Sequence, residues 1–266
     1  MELAYDDAGS GECVVLIHGH PFDRTLWSPQ LDALGAAFRV LAPDLRGFGQ
    51  SPVTPGVVTM RQYAADIEEL LDERGITRAA LVGLSMGGLV AMELATAHPG
   101  RYWALGLVAT TAEPPSPQDG RVRDERADAT ERDGMSVLIG YMHTGVYGPA
   151  CPPAVRARVD AMMAAAPPAG AAAALRGRAR RPDNRPLLAV LDIPALVVAG
   201  TADPWSNAEV TAEIVSSLKR PEQVIIDGAG HLPNLEAEEG FNNALTAFLH
   251  AHAKAQGRGS SGARTI

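Results

Sequence analysis

Cysteine is almost absent from this chain of 266 residues, which has only Cys13 and Cys151. Two distant cysteines without a Cys-x-x-Cys spacing support neither a disulfide scaffold nor a zinc site, so we expect no metal ion. No apolar run reaches the roughly 18 residues of a membrane span. The first residues have no basic start and no apolar stretch, so no signal peptide is predicted. We therefore expect a cytoplasmic protein without a membrane partner.

Positive charge is also scarce. The chain has 23 Lys and Arg against 31 Asp and Glu, a formal net charge of −8, whereas nucleic-acid-binding domains are usually basic. We therefore expect a small-molecule substrate and no nucleic-acid partner. Apolar residues make up 46% of the chain, which is typical of globular proteins. A chain of this length can bury a core without disulfide or metal support.

Short apolar runs alternate with longer helical patterns. Runs that are nearly continuous in apolar residues are typical of strands buried on both faces of a mostly parallel sheet. The predicted strands are residues 14–17, 40–42, 80–84, 105–109, 195–199 and 223–226. The predicted helices are residues 27–37, 60–74, 86–97, 207–218 and 240–252. Ligands of such sheets bind beyond the carboxyl ends of the strands, so the residues that follow each strand are the site candidates.

The alternation stops between residues 112 and 186, where proline pairs separate helical pieces at 154–165 and 170–181. No strand pattern occurs there, which predicts an inserted helical cap. The proline-rich start at 114–117 also fits a flexible linker. The segment 176–185 holds five arginines and one acid. It could attract a carboxylate, although we favour a solvated helix face.

The cap divides an α/β core that we predict to comprise residues 1–111 and 187–255. Residues 256–266 are rich in Gly, Ser and Arg, and we expect them to form a disordered tail.

A Gly-x-Ser-x-Gly pattern at residues 83–87 joins a predicted strand to a predicted helix. So sharp a turn strains its central residue, Ser85, and the flanking glycines remove side chains that would clash. The serine hydroxyl then projects above the sheet as a nucleophile, beside the N–H groups of the helix N-terminus. The alternative is an ordinary turn in which Ser85 caps the helix.

A serine nucleophile needs a base and an orienting acid. His231 follows the last predicted strand in a loop with two glycines, which lets it reach over the sheet; a structural histidine is the alternative. Asp203 follows strand 195–199 and is the candidate acid, unless it only caps the next helix. Asp227 is the rival acid. The order Ser85, Asp203, His231 is that of the α/β-hydrolase arrangement.

The oxyanion of a tetrahedral intermediate needs N–H donors. We expect them to be the backbone N–H of Met86 and that of His20, because Gly19 permits close approach of the backbone. The His20 side chain would then lie near the site and could be mistaken for the base. The candidates for the substrate pocket are Trp27, Tyr141, His143, Met162, Trp205 and Leu232.

These segments together resemble the α/β-hydrolase family, in the branch of esterases, lactonases and cofactor-free haloperoxidase-like perhydrolases. The matching stretches are residues 18–21, 44–51, 83–88, 200–203 and 230–236. The resemblance implies an α/β-hydrolase fold, a mostly parallel central sheet flanked by helices, with an inserted helical cap. The short N-terminus suggests that the opening strand hairpin of the family is trimmed. A weaker resemblance is to the enol-lactonases of aromatic catabolism.

The leading hypothesis is a serine hydrolase that cleaves a small or medium carboxylic ester or lactone through an acyl-enzyme, without cofactor or metal. Serine at position 85 argues against the dehalogenases and epoxide hydrolases of this fold, which use aspartate there. Another reaction on the same triad is an alternative: a perhydrolase, a C–C bond hydrolase, a lyase or a cyclase. A hydrolase-fold ligand-binding protein is another, because fold alone does not separate these functions.

Overall fold

The computed structural model describes residues 1–253, so the predicted tail at 256–266 lies outside the described residues. A seven-stranded sheet forms the centre, in the order β1-β3-β2-β4-β5-β6-β7. The strands are β1 (Tyr5–Gly9), β2 (Cys13–Ile17), β3 (Arg39–Pro43), β4 (Ala79–Leu84), β5 (Tyr102–Val108), β6 (Ala195–Gly200) and β7 (Pro221–Ile226). Only the pairing of β1 with β3 is antiparallel, and the other pairs are parallel.

The six predicted strands are confirmed, and β2, β4, β5 and β6 are buried along their whole length. One strand, β1, precedes β2 in the described residues; it pairs over its full length with β3 and not with β2, so no opening strand hairpin forms there. The sequence of β1, Tyr-Asp-Asp-Ala-Gly, has no apolar run, and none of its residues is fully buried. It is an edge strand that is held by its backbone hydrogen bonds, which hydrophobic patterning does not reveal.

Helices cover the sheet. They are α1 (Ser28–Leu34), α2 (Met60–Glu73), α3 (Met86–Ala97), α4 (Pro117–Asp133), α5 (Met135–Met142), α6 (Pro153–Ala165), α7 (Pro168–Ala179), α8 (Arg185–Val190), α9 (Ala208–Ser217), α10 (Pro233–Glu236) and α11 (Glu238–His252). A 3₁₀ turn at Arg24–Trp27 precedes α1. In the part of the chain that is described, no helix is long and apolar enough to cross a membrane.

The five helices α4–α8, here called the insertion, lie between β5 and β6. The predicted helical pieces at 154–165 and 170–181 correspond to α6 and α7. The start at 114–117 leads into a helix and not into a long linker, because the Ser116 hydroxyl caps α4 and Pro117 occupies its first turn. The sequence does not predict α4, because its residues are mostly charged and it buries only two of them.

Helix α7 lies directly against the α/β core. The N–H of Val58 donates to the carbonyl of Ala173 at 3.2 Å. A Cβ on Gly170 would come within 2.0 Å of the Gly47 carbonyl oxygen, so only glycine allows this approach. The loop after β3 and helix α7 are therefore fixed to each other above the carboxyl ends of the strands.

Candidate active site

The turn between β4 and α3 holds Ser85 in a strained conformation, with φ 54° and ψ −113°. A Cβ on Gly83 would lie 2.1 Å from the carbonyl oxygen of Gly87, and a Cβ on Gly87 would lie 2.1 Å from that of Ile17. Both positions therefore require glycine, as the motif predicts. The Ser85 N–H donates to the Val108 carbonyl at 2.8 Å, which ties the turn to β5.

The loops after β6 and β7 bring an acid and an imidazole together. Nδ1 of His231 lies 2.8 Å from Oδ2 of Asp203, and both side chains are buried. The Asp203 carboxylate also accepts the N–H of Trp205 and the hydroxyl of Ser206. Burial opposes ionisation of Asp203, but His231 and these donors outweigh it and lower the pKa of the carboxyl.

The rival acid, Asp227, is exposed. Its carboxylate accepts the Thr201 hydroxyl at 3.0 Å, which ties the loop after β7 to the loop after β6. Asp203 is therefore the acid that contacts the candidate base, His231. Asp227 fixes the start of the loop that leads to His231.

The loop that carries His231 is held by Glu236, which sequence reasoning missed. The Glu236 carboxylate accepts the N–H groups of Gly230 at 3.1 Å, Leu232 at 3.2 Å and Gly148 at 2.7 Å. The N–H of His231 donates to the carbonyl of Val146. The candidate base is thus anchored to the insertion from two sides. The only sequence signal was that Glu236 lies five positions after His231. This spacing does not show which N–H groups the carboxylate accepts.

The loop after β2 approaches the serine turn closely. A Cβ on Gly19 would lie 3.0 Å from the carbonyl oxygen of Leu84 and 3.2 Å from the Cβ of Ser85, so the absence of a side chain at Gly19 eases this close packing. Nε2 of His18 accepts the N–H of Leu45, and its Nδ1 donates to the Gly19 carbonyl. His18 therefore fixes the loop that carries His20, a structural contact that sequence reasoning missed.

The His20 imidazole is buried and cannot serve as the base. Its Nε2 lies 3.0 Å from the carbonyl of Ala171, which can only accept, so this nitrogen carries the proton. Burial and then the charge of Arg178 lower the pKa of His20 to about 3. Met86, the other candidate donor, is the first residue of α3, where an N–H has no partner inside the helix.

A cavity of about 330 Å³ lies between the strand ends and the insertion. Ser85, His231 and His20 line it from the core, and Tyr141 and Trp205 also lie on its wall. The Trp205 ring stacks on Tyr141 with centroids 5.6 Å apart, and it meets the His231 ring edge-on at 4.8 Å. These two aromatic residues are the predicted pocket residues that the structure brings to the cavity.

The structure places the other four candidates away from this wall: Trp27, His143, Met162 and Leu232. Trp27 and Leu232 are fully buried in the core, and Met162 is buried in the insertion. His143 is exposed and pairs with Asp160. Large apolar side chains are buried in the core more often than they line a cavity. Residue type alone therefore did not separate the core residues from those of the cavity wall.

Comparison with known proteins identifies the family. The profile described as "Alpha/beta hydrolase family" matches residues 14–244. The chain belongs to the α/β-hydrolase family. It is 31% identical over 230 residues to 3-oxoadipate enol-lactonase 1 of Acinetobacter baylyi, covering 85% of this chain and 84% of that protein.

Two solved structures extend the likeness. A thermophilic esterase from Thermogutta terrifontis, with malate bound, superposes with a TM-score of 0.92 at 38% identity and covers 94% of each chain. The enol-lactonase from Burkholderia xenovorans LB400 gives 0.86 at 29% identity, covering 93% of this chain and 96% of that one.

In this α/β hydrolase the arginine-rich segment 176–185 is not the solvated face favoured from the sequence. Arg176 and Arg180 do point outward, to acids on α4. Arg178 lines the cavity, and Arg181 is buried. The alternation of inward and outward arginines follows from the helical period of α7, because residues two apart lie on different faces.

Proposed function

We propose that the chain is a serine hydrolase that cleaves a small or medium carboxylic ester or lactone through a triad of Ser85, His231 and Asp203. One observation carries the proposal: the buried pair of Asp203 and His231 reaches the cavity in which the strained Ser85 lies. The names of the esterase and the enol-lactonases among its relatives support ester and lactone substrates.

In the proposed mechanism, Nε2 of His231 takes the Ser85 hydroxyl proton while Oγ attacks the carbonyl carbon. The N–H groups of Met86 and His20 donate to the resulting oxyanion. The imidazolium returns its proton to the leaving oxygen, which leaves an acyl-enzyme. Water, activated by His231, then releases the acid and restores Ser85. Asp203 stabilises the imidazolium and selects the tautomer that protonates Nδ1.

We assign residues 112–186 the role of a cap that roofs the cavity. Tyr141 and Arg178 of this segment line the same cavity as Ser85, which supports the assignment. A cavity of about 330 Å³ suits a small molecule better than a polymer. The cytoplasmic location and the lack of a nucleic-acid partner remain predictions from the sequence.

A fluorophosphonate probe and a chromogenic short-chain ester test the proposal. Wild type and Ser216→Ala, which alters an exposed serine on α9, should be labelled and active. Ser85→Ala should lose labelling and about 10⁶ in kcat. Its melting temperature should remain close to wild type, because alanine is also small enough for this turn. Labelling or near wild-type hydrolysis by Ser85→Ala would refute the mechanism.

A further inference from the structure

Arg178, on α7, brings a guanidinium to the wall of the cavity that holds Ser85. Its Nε is shielded from solvent and has no hydrogen-bond partner. No acid within residues 1–253 forms an ion pair with it. An arginine that is partly buried is normally paired, because removing its charge from water is costly without a compensating partner. Arg178 therefore has donors that face the cavity and are available to a ligand.

Like charges surround this arginine. Arg123, on α4, lies on the same cavity wall and makes no ion pair with any described residue. Arg126 is fixed over the ring of Tyr141, with its guanidinium carbon 3.4 Å from the ring centroid. Arg181 donates to the carbonyl of Arg178 itself. Burial first, and then the charges of Arg123 and Arg181, lower the pKa of Arg178 to about 9.

The nearby acids offset this positive charge only in part. Asp119, whose carboxylate accepts the hydroxyl of Ser116, is the one acid among the described residues on the wall of this cavity, against the two arginines Arg178 and Arg123. Asp124, Asp128 and Glu131 are paired with the outward-facing arginines of α7. The cavity thus has an excess of positive charge next to a serine nucleophile, although the chain as a whole is acidic.

We propose that Arg178 and Arg123 form a carboxylate-binding subsite, so that the ester or lactone carries a free carboxylate away from the bond that is cleaved. The proposal rests on the hydrolase function proposed above. A planar guanidinium can donate two parallel hydrogen bonds to a carboxylate, which fixes its orientation as well as its charge. Because Ser85 and Arg178 share one small cavity, the substrates that fit are half-esters of short dicarboxylic acids and lactones with a short carboxylate side chain.

The test compares two esters of equal length: monomethyl adipate and the methyl ester of adipamic acid, in which a neutral amide replaces the carboxylate. Wild type should favour the carboxylate by about ten- to a hundredfold in kcat/KM, as expected for hydrogen bonds to a charged group. Arg178→Gln should reduce this ratio to near one, mainly through KM. Arg123→Gln should reduce this ratio in part. This second variant tests the subsite if Arg178→Gln does not fold.

The matched control is Arg121→Gln, which removes one positive charge from an exposed position on α4. It should keep the wild-type ratio. A wild-type ratio near one, or an equal ratio in wild type and Arg178→Gln, overturns the subsite and leaves the hydrolase function intact.

A binding measurement separates the subsite from catalysis. Calorimetry with Ser85→Ala should show monomethyl adipate binding at least about tenfold more tightly than the amide. Adding Arg178→Gln to Ser85→Ala should abolish the difference. If neither ester is hydrolysed by wild type but this difference in binding is found, the subsite stands and the proposed hydrolase function fails. Equal binding of acid and amide overturns the subsite directly.

Discussion

The carboxylate of Glu236 accepts the backbone N–H of Gly148 at 2.7 Å, across 88 positions of the chain. The same carboxylate accepts the N–H groups of Gly230 and Leu232, which flank His231. One side chain therefore joins the loop that carries the candidate base to the insertion, which contributes residues to the cavity wall. A substitution at Glu236 should therefore lower both the rate of hydrolysis and the stability of the fold.

Replacement of Glu236 by Gln should lower kcat and destabilise the fold. The amide keeps one acceptor oxygen but turns an NH₂ group towards backbone N–H groups, so at least one buried donor loses its partner. The expected cost is about 1–3 kcal/mol in the free energy of unfolding. Thermal melting and ester hydrolysis measure the two effects. The control is Glu239→Gln, at an exposed position on α11, which should change neither the melting temperature nor kcat by much. An equally small effect of Glu236→Gln would show that the loop of His231 keeps its conformation without the Glu236 carboxylate.

Removing the charge of Asp203 should lower kcat far more than removing the charge of Asp227. Asn at Asp203 would present an amide to Nδ1 of His231 and favour the wrong tautomer; the comparable change in a serine protease costs about 10⁴ in kcat. Asp227→Asn should cost little, because the exposed Asp227 only accepts a hydrogen bond from Thr201. The measurement is kcat on one ester for both variants. Greater damage from Asp227→Asn would mean that the acid is misassigned.

The sequence predicted six of the seven strands, and with them the candidate triad residues, for one physical reason. Short apolar runs mark strands: Ser85 and Asp203 follow the buried runs of β4 and β6, and His231 follows the apolar end of the more exposed β7. Contacts made by polar groups were not predictable in this way. Glu236 and its partner Gly148 are 88 positions apart in the chain, and Arg178 is of the same residue type as Arg176 and Arg180 on either side of it. What distinguishes Arg178 from these arginines is the face of helix α7 on which it lies, which residue type does not reveal.

Acid should destabilise the protein in part through His20. The ordinary pKa of histidine is about 6.5, whereas burial lowers the pKa of His20 to about 3. Between these values the unfolded chain binds a proton at this position and the folded protein does not. The free energy of unfolding therefore falls as pH falls through this range, by about 1.4 kcal/mol per pH unit from this group. Burial lowers the pKa of His18 as well, which adds to the slope.

Urea unfolding at about pH 7 and about pH 4.5 tests the contribution of His20. The stability lost between these values should be smaller in His20→Gln than in wild type, by up to about 3 kcal/mol. Glutamine retains an N–H for the Ala171 carbonyl, so the fold should be preserved. His250→Gln, at an exposed position on α11, is the control and should show the wild-type loss. An unchanged loss in His20→Gln would mean that this histidine becomes protonated in the folded protein.

The size of the cavity should limit the acyl group. About 330 Å³ lies at the lower end of the range for small-molecule pockets, and the stacked rings of Tyr141 and Trp205 close part of its wall. Each methylene that fits adds about 0.8 kcal/mol of apolar burial, so kcat/KM for p-nitrophenyl esters should rise from acetate to butyrate or hexanoate. It should then fall by about tenfold or more for laurate, whose chain cannot enter without displacing these rings. Substitution of Trp205 by Ala should move the optimum to longer chains, whereas Trp27→Ala should leave it in place, because Trp27 lies in the core. A wild-type optimum at laurate would mean that the insertion opens to admit long chains.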